Sequence, residues 1–589
     1  MQFASYGDFA RYLESIGELH RVKVEVDPYL EITEIATRAL QERKPALLFE
    51  NVKGSRYPLV INCLASEKRC ELSLQKHPQQ IGEELISFFM DAMHPQLSTI
   101  GKHRRVLRRF LSTPSTTASS PIVQQVVETP DLESLPILTC WPDDGGKFIT
   151  LPQVVTYDPR TGKRNIGMYR MHVFDRQTTG MHWQIQKGGG FHYHQAEKLG
   201  KPLEVGVALG TEPTLLLATI AALPENIDEA MFAGFLRGRR TRFARGKTIS
   251  TLIPADAEFI LEGVVPPVER KMEGPFGDHF GHYSHAAEFP VFHIRTITRR
   301  TNPVYPATVV GIPPMEDKFL GDATQQILGP LAKLIHSEIT DIWAYYEAGF
   351  HNLLVVAVDQ RYAKEGMKTA LGLMGTGQLS LTKCCILVSE GIDVRDFDAV
   401  MKEVRKNFDP HYDFVMIPRV PLDTLDFTSY SMNLGSKMII DATMKNRTAD
   451  KAIDPTLMER ISHLKSLDQR ILDLHLVHDT LLLVKVMGLG MPILEKLVRH
   501  TELAGVRIIA AVTDDVDIRN KESYIWGVFT RFDCERDLIF TEQKLVGISP
   551  IYKGTMGIDA TWKEGYPKPL VMTDAVKKKV EEKWESYWR

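Results

Sequence analysis

A chain of 589 residues is too long for one compact core, and at roughly 150 residues per domain it predicts about four domains. Its hydrophobic fraction of 43%, charged fraction of 25% and net charge of -3 are typical of globular enzymes and exclude a general attraction to nucleic acid or anionic lipid. The six cysteines lack Cys-x-x-Cys spacing, which favours a reducing cytoplasm. We expect no nucleic-acid partner, no secretory leader and no transmembrane segment.

The first segment predicts an α/β module. Its periodic runs are helices at 9–16 and 32–40 and strands at 20–26, 46–49 and 59–61. A basic run at 102–109 is interpreted as the solvated side of an amphipathic helix, because no aromatic residues are interleaved to stack bases. Ser, Thr and Pro residues at 111–121 predict a linker. We therefore place the first domain at 1–115.

The second domain, placed at 122–310, has a different pattern of short β-rich runs. These runs lie at 154–157, 168–174, 215–220 and 292–297. Short strands separated by turn residues predict a sheet or a barrel.

The remaining chain predicts a layered α/β domain at 311–446, followed by a second copy at 447–589. Apolar strands at 353–358 and 384–388 alternate with helices at 325–335 and 397–407 in the first of these. Three of its stretches return later in the same order: 351–356 at 478–483, 388–395 at 512–519, and 438–445 at 556–563. Ordered repetition favours duplication over chance. The chain then ends in an amphipathic helix, interpreted as a docking or dimer helix.

The stretch Glu273-Gly-Pro-Phe-Gly-Asp278 carries two carboxylates five residues apart on a bend that no regular helix can form. Such a bend can direct both acids into one cavity, where different surroundings yield a proton donor beside a permanent anion. The alternative for an isolated case is a surface turn with solvated acids.

Other polar sets precede this loop in the second domain. Strand alternation would place Asn165 and Arg170 on opposite faces, so a shared site requires a bend between them. A buried Arg170 would need an anion such as a substrate carboxylate. Lys187 leads a glycine run that could present N–H groups to a phosphate. Glu229 could join Asn165 as an oxygen ligand of a hard cation.

With these stretches the sequence resembles the UbiD family of prenylated-FMN-dependent decarboxylases. The resemblance runs from residues 17–22, 25–35 and 45–52 through Lys445, and the fourth domain stands outside it as an extra copy. It implies an α/β multidomain fold with an N-terminal α/β module, a central split β-barrel that binds flavin and metal, and a C-terminal layered α/β domain.

The resemblance also assigns residues to the site. It implies catalytic roles for Arg170, Glu273 and Asp278, with Asp278 as the proton donor. The implied flavin contacts are Met168, Tyr169, Arg170, His182, Trp183, Gln184, Lys187, Gly188 and Lys437. The implied metal ligands are Asn165 and Glu229, for Mn²⁺ or Mg²⁺ with K⁺ as a further cation. Gln186 stands where many members carry a ligating His, and its amide oxygen is a legitimate ligand of such cations.

The implied activity is reversible, non-oxidative decarboxylation of an aromatic or polyprenyl-aromatic acid through a covalent prenylated-FMN adduct, in ubiquinone or menaquinone biosynthesis. The implied enzyme is a homo-oligomer, a dimer or hexamer, in the cytoplasm, either free or peripheral to the inner membrane. A flavin prenyltransferase supplies the cofactor.

Two alternatives stay open at this point. One is a hydrolase with zinc bound by histidines of the second domain, namely His192, His194, His279, His282 and His285, although the chain has no His-Glu-x-x-His motif. The other is a non-catalytic assembly protein in which the duplicated domain is an interaction module. Because Thr555 stands in the fourth domain where the third has Lys437, we predict that the fourth domain is structural and packs at a subunit interface.

Overall fold

The computed structural model of the chain describes residues 3–184, 187–224, 227–429, 431, 433–445 and 456–589. The chain divides into two units, Met1–Leu328 with Lys568–Arg589, and Gly329–Pro567. It therefore leaves the first unit at Leu328 and returns to it at Lys568. None of the helices in the described ranges is long and apolar enough to cross a membrane.

The N-terminal part of the first unit packs helices around a small sheet. Its helices are α1 (Tyr6–Ser15), α2 (Glu31–Gln41), α3 (Glu67–Leu74), α4 (Pro78–Met93), α5 (Leu97–Lys102) and α6 (Arg104–Phe110), and its strands are β1 (Leu19–Val22), β2 (Ala46–Phe49) and β3 (Leu59–Ile61). Helix α1 begins with a capping box, in which the Ser5 hydroxyl and the Asp8 carboxylate each accept the other residue's backbone N–H. The predicted helices and the two buried strands of this module are confirmed.

The central part of the first unit contains most of its strands. They are β4 (Thr116–Thr117), β5 (Val126–Glu128), β6 (Phe148–Ile149), β7 (Gln153–Tyr157), β8 (Arg164–Met168), β9 (Met171–His172), β10 (Thr178–Gly180), β11 (Leu203–Leu209), β12 (Arg242–Arg245), β13 (Leu252–Pro254), β14 (Phe259–Val265), β15 (Arg270–Glu273), β16 (Phe276–Gly277), β17 (Tyr283–Ser284), β18 (Ala287–Arg299) and β19 (Tyr305–Pro306). The helices are α7 (Gly188–Lys198), α8 (Pro213–Ile220), α9 (Glu229–Arg237) and α10 (Glu316–Leu328). Strand β19 joins the N-terminal sheet in the order β1-β2-β3-β19, so that sheet is completed by a strand from much later in the chain.

The main sheet of this part has eight strands in the path β10-β18-β14-β11-β7-β8, with β15 and β5 also paired to β18. Within the described part of the chain the two end strands, β10 and β8, are not paired with each other. The expected split β-barrel is therefore not confirmed, because these two end strands do not close the sheet over the described residues. The long strand β18 organises it, since β10, β14, β15 and β5 all bond to it.

Three local predictions for this part were wrong or incomplete. Residues 215–220 lie in helix α8, because Glu212 caps it by accepting the Thr214 N–H at 2.9 Å and Pro213 suits its first turn. A short apolar run does not distinguish a buried helix from a buried strand. The predicted strand 168–174 is interrupted at Tyr169 and Arg170. The predicted linker contains β4, which pairs with β12.

The second unit contains two five-stranded sheets of the same design. The first has the order β20-β21-β22-β24-β23, from β20 (Ile339–Ala344), β21 (Leu353–Val358), β22 (Cys384–Ser389), β23 (Phe414–Pro421) and β24 (Leu434–Asp441). The second has the order β25-β26-β27-β29-β28, from β25 (Ile471–Val477), β26 (Leu481–Val486), β27 (Ile508–Val512), β28 (Leu538–Val546) and β29 (Ser549–Ala560). In each sheet the first two strands are antiparallel, and the register of their pairing shifts after the first paired residue.

Helices cover both sheets of the second unit. They are α11 (Glu365–Leu373), α12 (Phe397–Asn407), α13 (Pro410–Asp413), α14 (Leu457–Ile461), α15 (Met491–Leu497) and α16 (Lys521–Phe529). The parallel strands β21 and β22 are almost wholly buried and apolar, as expected where helices cover a parallel sheet. The last helix, α17 (Asp574–Tyr587), belongs to the first unit.

Candidate active site

The two acids of the Glu-Gly-Pro-Phe-Gly-Asp stretch lie on a bend between two paired strands. Glu273 ends β15, whose partner is β18, and Gly277 in β16 pairs with Tyr283 in β17. Gly274 has a φ of +91°, a backbone conformation that residues other than glycine rarely adopt. The loop from Glu273 to Ser284 is thus a hairpin. The alternative of a surface turn with solvated acids was wrong, because both Glu273 and Asp278 are buried. We call this hairpin the acid loop.

The Glu273 carboxylate is the centre of a buried ionic group. Its Oε1 accepts from Arg170 Nε at 3.1 Å and lies 2.8 Å from His182 Nδ1, and its side chain is 0% exposed. Burial raises the pKa of this carboxyl, but His182 and Arg170 together outweigh burial and hold the pKa below its usual value. Glu273 is therefore a permanent anion at neutral pH.

Arg170 connects this anion to the returning arm of the acid loop. It lies in the break between β8 and β9, which is the bend that a site shared with Asn165 requires. Its Nη2 donates to Ser284 Oγ at 2.8 Å, and its guanidinium carbon lies 4.8 Å from the centre of the Phe276 ring. The predicted convergence of Arg170 and Glu273 is observed.

Asp278 is held by the backbone of the same loop. Its Oδ1 accepts from Phe280 N at 2.9 Å, and its own N–H donates to His282 O at 3.1 Å. The side chain of Asp278 is buried, with 4% of the residue exposed. The position of this acid therefore depends on the arm of the loop that carries His282.

Asp144 bonds to the acid loop at Gly277, and no role for it was predicted from the sequence. Its Oδ1 accepts from Gly277 N at 2.8 Å, and its Oδ2 accepts from Trp141 N at 2.9 Å and Cys140 N at 3.1 Å. Burial raises the pKa of this carboxyl to about 6, opposed by these backbone bonds and by the charge of Arg170. The only local sequence signal is an Asp-Gly-Gly turn, which is common in ordinary loops.

Asn165 and Glu229 lie close together on neighbouring elements, β8 and the first turn of α9. The Glu229 carboxylate accepts from Ile166 N at 2.9 Å, and burial raises the pKa of Glu229 to about 7. Asn165 Nδ2 is buried without a hydrogen-bond partner among the described residues. The amide oxygen of Asn165 and the carboxylate of Glu229 are the oxygen ligands that a hard cation such as Mn²⁺ or Mg²⁺ takes. The third predicted ligand, Gln186, lies outside the described residues.

The glycine run that follows Lys187 is the start of helix α7, with Lys187 at its N-cap. A Cβ added at Gly188 would lie 2.1 Å from Asn165 Oδ1, and one at Gly189 would lie 2.6 Å from Trp183 Nε1. The Gly189 N–H donates to Tyr169 OH at 3.2 Å. A helix N-terminus without side chains is suited to a phosphate group.

The other predicted flavin contacts border this region. Met168 is the last residue of β8, and Trp183 Nε1 is buried without a partner in the described part of the chain. His182 contacts Glu273 as described, and Gln184 O accepts from Lys187 N at 3.2 Å. These residues therefore connect the acid group to the α7 N-terminus.

Lys437 belongs to the second unit, on β24. Its ammonium contacts the Ser380 carbonyl, and burial lowers its pKa to about 8.

The structure does not assemble the histidines of the hydrolase alternative. His192 is buried and bonds Thr156 Oγ1 through Nδ1 at 2.9 Å, whereas His194 and His285 are exposed. His282 Nδ1 lies 3.0 Å from the Phe280 carbonyl. Over the residues that the structure describes, no three His, Cys, Asp or Glu side chains group as metal ligands.

The sequence matches three domains of one family. They are the 3-octaprenyl-4-hydroxybenzoate carboxy-lyase (UbiD) N-terminal domain over residues 10–89, its Rift-related domain over 115–313, and its C-terminal domain over 318–442 and 487–560. An uncharacterized protein of Archaeoglobus fulgidus is 46% identical over 457 residues, or 76% of this chain and 93% of that protein. A 4-hydroxybenzoate decarboxylase subunit of the bacterium Chlamydia pneumoniae is 35% identical over 577 residues, or 97% of this chain and 96% of that protein.

Solved structures resemble this chain in the same way. Sedimentibacter hydroxybenzoicus vanillic acid decarboxylase in closed form has a TM-score of 0.68 at 27% identity, covering 79% of this chain and 99% of its own. An evolved dimeric form of the UbiD-class enzyme HmfF from Pelotomaculum thermopropionicum, in complex with prFMN, has a TM-score of 0.62 at 24% identity, covering 78% of this chain and 98% of its own. The second likeness concerns the fold alone.

Proposed function

The chain belongs to the UbiD family of carboxy-lyases, as its sequence resemblance indicated, and we propose that it is a prenylated-FMN-dependent decarboxylase of an aromatic or polyprenyl-aromatic acid. The observation that carries this proposal is the buried ionic contact of Glu273, the first residue of the acid loop, with Arg170 and His182. The Arg170 guanidinium supplies the positive charge and the N–H donors that a carboxylate binds, and Glu273 holds that guanidinium in place.

The residues around α7 fit the cofactor. Asn165 and Glu229 would hold the metal ion, with Gln186 as the third ligand, and the α7 N-terminus with Lys187 would face the flavin phosphate. The remaining proposed flavin contacts are Met168, Tyr169, Arg170, His182, Trp183, Gln184, Gly188 and Lys437. When bound, the prenylated flavin supplies a sink for the electron pair that is released as CO₂ leaves.

The protein's own groups supply the remaining steps. Arg170 binds the substrate carboxylate through its guanidinium, while Glu273 fixes the direction of that guanidinium. The bond between the carbon and the carboxylate breaks, and the Asp278 carboxyl donates its proton to that carbon. Asp278 is left as a carboxylate and takes a new proton from water before the next turnover. Burial of the acid loop keeps other proton donors away from the carbon.

We propose a phenolic or polyprenyl-phenolic acid as substrate, with a place in ubiquinone or menaquinone biosynthesis. The carboxy-lyase name of the matched family and the decarboxylase name of the Chlamydia pneumoniae relative support this class. The proposed partners are a flavin prenyltransferase that supplies the cofactor and further copies of this chain. The buried, unpaired thiols of all six cysteines support a reducing, cytoplasmic location.

The test is to co-express the chain with a flavin prenyltransferase and to extract the cofactor for absorption spectroscopy and mass measurement. We expect prenylated FMN with bound Mn²⁺ or Mg²⁺, and CO₂ release from 4-hydroxybenzoate or a prenylated derivative. Stoichiometric zinc without flavin would refute the proposal and favour the hydrolase. Flavin binding without CO₂ release from any aromatic acid would refute the substrate class.

We also propose the domain boundaries 1–115, 122–310, 311–446 and 447–589, with the last two as copies of one fold. Identical strand orders support this, and so do matching side chains at the strand ends. Thr443 Oγ1 donates to Asp441 Oδ1 at 2.5 Å, and Thr561 Oγ1 to Asp559 Oδ1 at 2.6 Å. Lys437 and Thr555 precede equivalent methionines in β24 and β29.

The contacts between these two copies are reciprocal, which supports an internal two-fold pairing. Asn352 Nδ2 donates to Phe529 O in α16 at 3.1 Å, and Thr480 Oγ1 donates to Met401 O in α12 at 3.0 Å. The strand registers make Thr480 the counterpart of Asn352, so the predicted repeat of 351–356 at 478–483 was wrong by one residue. Self-complementary contact of this kind is the rule for isologous dimers. We therefore propose that the fourth domain is structural and that its interface is with the third domain.

A further inference from the structure

The chain returns from the second unit directly onto the acid loop. Leu570 N donates to Gly281 O at 2.9 Å, and Tyr283 N donates to Lys568 O at 3.1 Å, so Pro569 and His282 form an antiparallel bridge. Because the two hydrogen bonds flank this pair, Pro569 needs no N–H of its own. We call residues 568–570 the return segment.

The return segment contacts the arm of the acid loop on which both charged side chains depend. The His282 carbonyl accepts the Asp278 N–H at 3.1 Å, and Ser284 Oγ accepts from Arg170 Nη2 at 2.8 Å. The return segment therefore holds residues 281–283, which include His282, the partner of Asp278, and directly precede Ser284, the partner of Arg170.

Leu570 also packs on the opposite arm. A Cβ added at Gly277 would lie 2.7 Å from Leu570 Cδ2 and 2.3 Å from Trp141 Cδ1, so these two side chains fill the space over Gly277. Leu570 is 3% exposed, whereas its neighbour Val571 is 57% exposed. Leu570 thus meets the residue immediately before Asp278, opposite the Asp144 carboxylate that accepts the Gly277 N–H.

Helix α17 fixes the return segment from its other side. Lys579 Nζ lies 2.9 Å from Glu31, Tyr587 OH donates to Glu31 Oε1 at 2.9 Å, and Arg38 lies 4.0 Å over the Trp584 ring. Glu31 and Tyr587 are buried. The chain is therefore anchored to α2 from Lys579 onward, nine residues after Leu570 contacts the acid loop.

From these contacts we propose that the return segment, through Leu570, positions Asp278 and Arg170 for proton transfer and carboxylate binding. The inference rests on the proposed decarboxylase function. Leu570 is a positioning residue, because it acts through the backbone of the acid loop, where its N–H donates to Gly281 O and its side chain packs over Gly277. A displacement of reacting groups by about 1 Å can reduce turnover by about 100-fold.

The test uses the full chain loaded by co-expression with a flavin prenyltransferase. In Leu570→Ala we expect kcat for CO₂ release to fall at least tenfold and KM for the acid to rise severalfold, while bound flavin stays within twofold of wild type. Leu570→Ile should restore kcat to within threefold, and the matched control Val571→Ala should be unchanged. Should the alanine variant not fold, Leu570→Val replaces it, with an expected fall of at least threefold.

A second readout needs no turnover. Hydrogen–deuterium exchange of the peptide covering 276–284 should be at least tenfold faster in Leu570→Ala than in wild type, with exchange in α9 unchanged. The inference is overturned if this exchange is unchanged, or if kcat falls only in proportion to lost flavin. If the wild-type chain releases no CO₂ from any aromatic acid, the proposed function fails, and the exchange measurement alone decides whether Leu570 positions the loop.

Discussion

Replacing Glu273 by Gln removes one charge and almost no volume from the centre of the site. The carboxylate receives a charge-assisted bond from Arg170 at 3.1 Å and faces His182 at 2.8 Å, with no exposed surface. Both neighbours bond the same oxygen, Oε1, so a glutamine oxygen can take its place but lacks the negative charge that balances Arg170 and strengthens both bonds. We therefore expect Glu273→Gln to disturb both neighbours at once.

The expected loss follows from these contacts. Hydrogen bonds to charged groups contribute about 1.5–3 kcal/mol each, and breaking a buried ion pair by removing one partner costs about 3–5 kcal/mol. If this energy is fully expressed in the transition state, turnover falls by about 10²- to 10⁴-fold. Flavin should remain bound, because the α7 N-terminus and Asn165 are untouched.

The pH dependence gives an independent check on Glu273. Its folded-state pKa is lowered, so its contribution to stability is fully present above the unfolded value of about 4.3 and is lost as the pH falls through the folded value. The melting temperature of Glu273→Gln should therefore lie below that of wild type at pH 7, and the gap should shrink below about pH 4.

Glu288→Gln is the matched control, because Glu288 is an exposed carboxylate on the neighbouring strand β18. It should change neither turnover nor melting temperature. Measurements of CO₂ release and thermal unfolding from pH 3.5 to 8 decide the matter. Near-normal turnover of Glu273→Gln, or a melting-temperature gap that is the same at all pH values, would refute the assignment of Glu273 as a buried anion that fixes Arg170.

Three further substitutions test the rest of the site. Arg170→Lys should raise KM for the acid at least tenfold in steady-state kinetics. The reason is that one ammonium cannot replace the two guanidinium nitrogens that bond Glu273 and Ser284 separately, and an unchanged KM would contradict carboxylate binding by Arg170. Asp278→Asn should stop CO₂ release and deuterium uptake into the product from D₂O, while the flavin spectrum persists. Gly188→Ala should lower flavin and metal content severalfold by optical and metal analysis, because its Cβ would lie 2.1 Å from Asn165 Oδ1, whereas Gly101→Ala, in open space, should not.

The parts of the structure that could be predicted from sequence are those specified by local residue patterns. Apolar periodicity identified α12 and β21, and internal similarity identified two modules that have the same strand order. The acid loop was also predictable, since glycine and proline between two acids prescribe a bend. The contact of Glu273 with Arg170 was expected only from family resemblance, because 103 residues separate them.

The parts that were missed depend on distant contacts. Residues 215–220 have no helical periodicity, so only the capping by Glu212 and their burial decide that they are a helix. The bond from Gly277 to Asp144 and the bridge between Pro569 and His282 join segments that no local pattern relates. The chain around residue 569 gives no sign in sequence of an active-site role.

The acid loop shows how an irregular segment can hold charged groups in fixed positions. A bend with two buried carboxylates should be unstable alone, because its backbone groups and charges would lose water without replacement. Here Asp144 satisfies the Gly277 N–H on one edge, the return segment satisfies Gly281 and Tyr283 on the other, and Arg170 neutralises Glu273. All three supports come from segments distant in sequence, so the geometry of the acid pair exists only when the whole first unit, including its last residues, has folded.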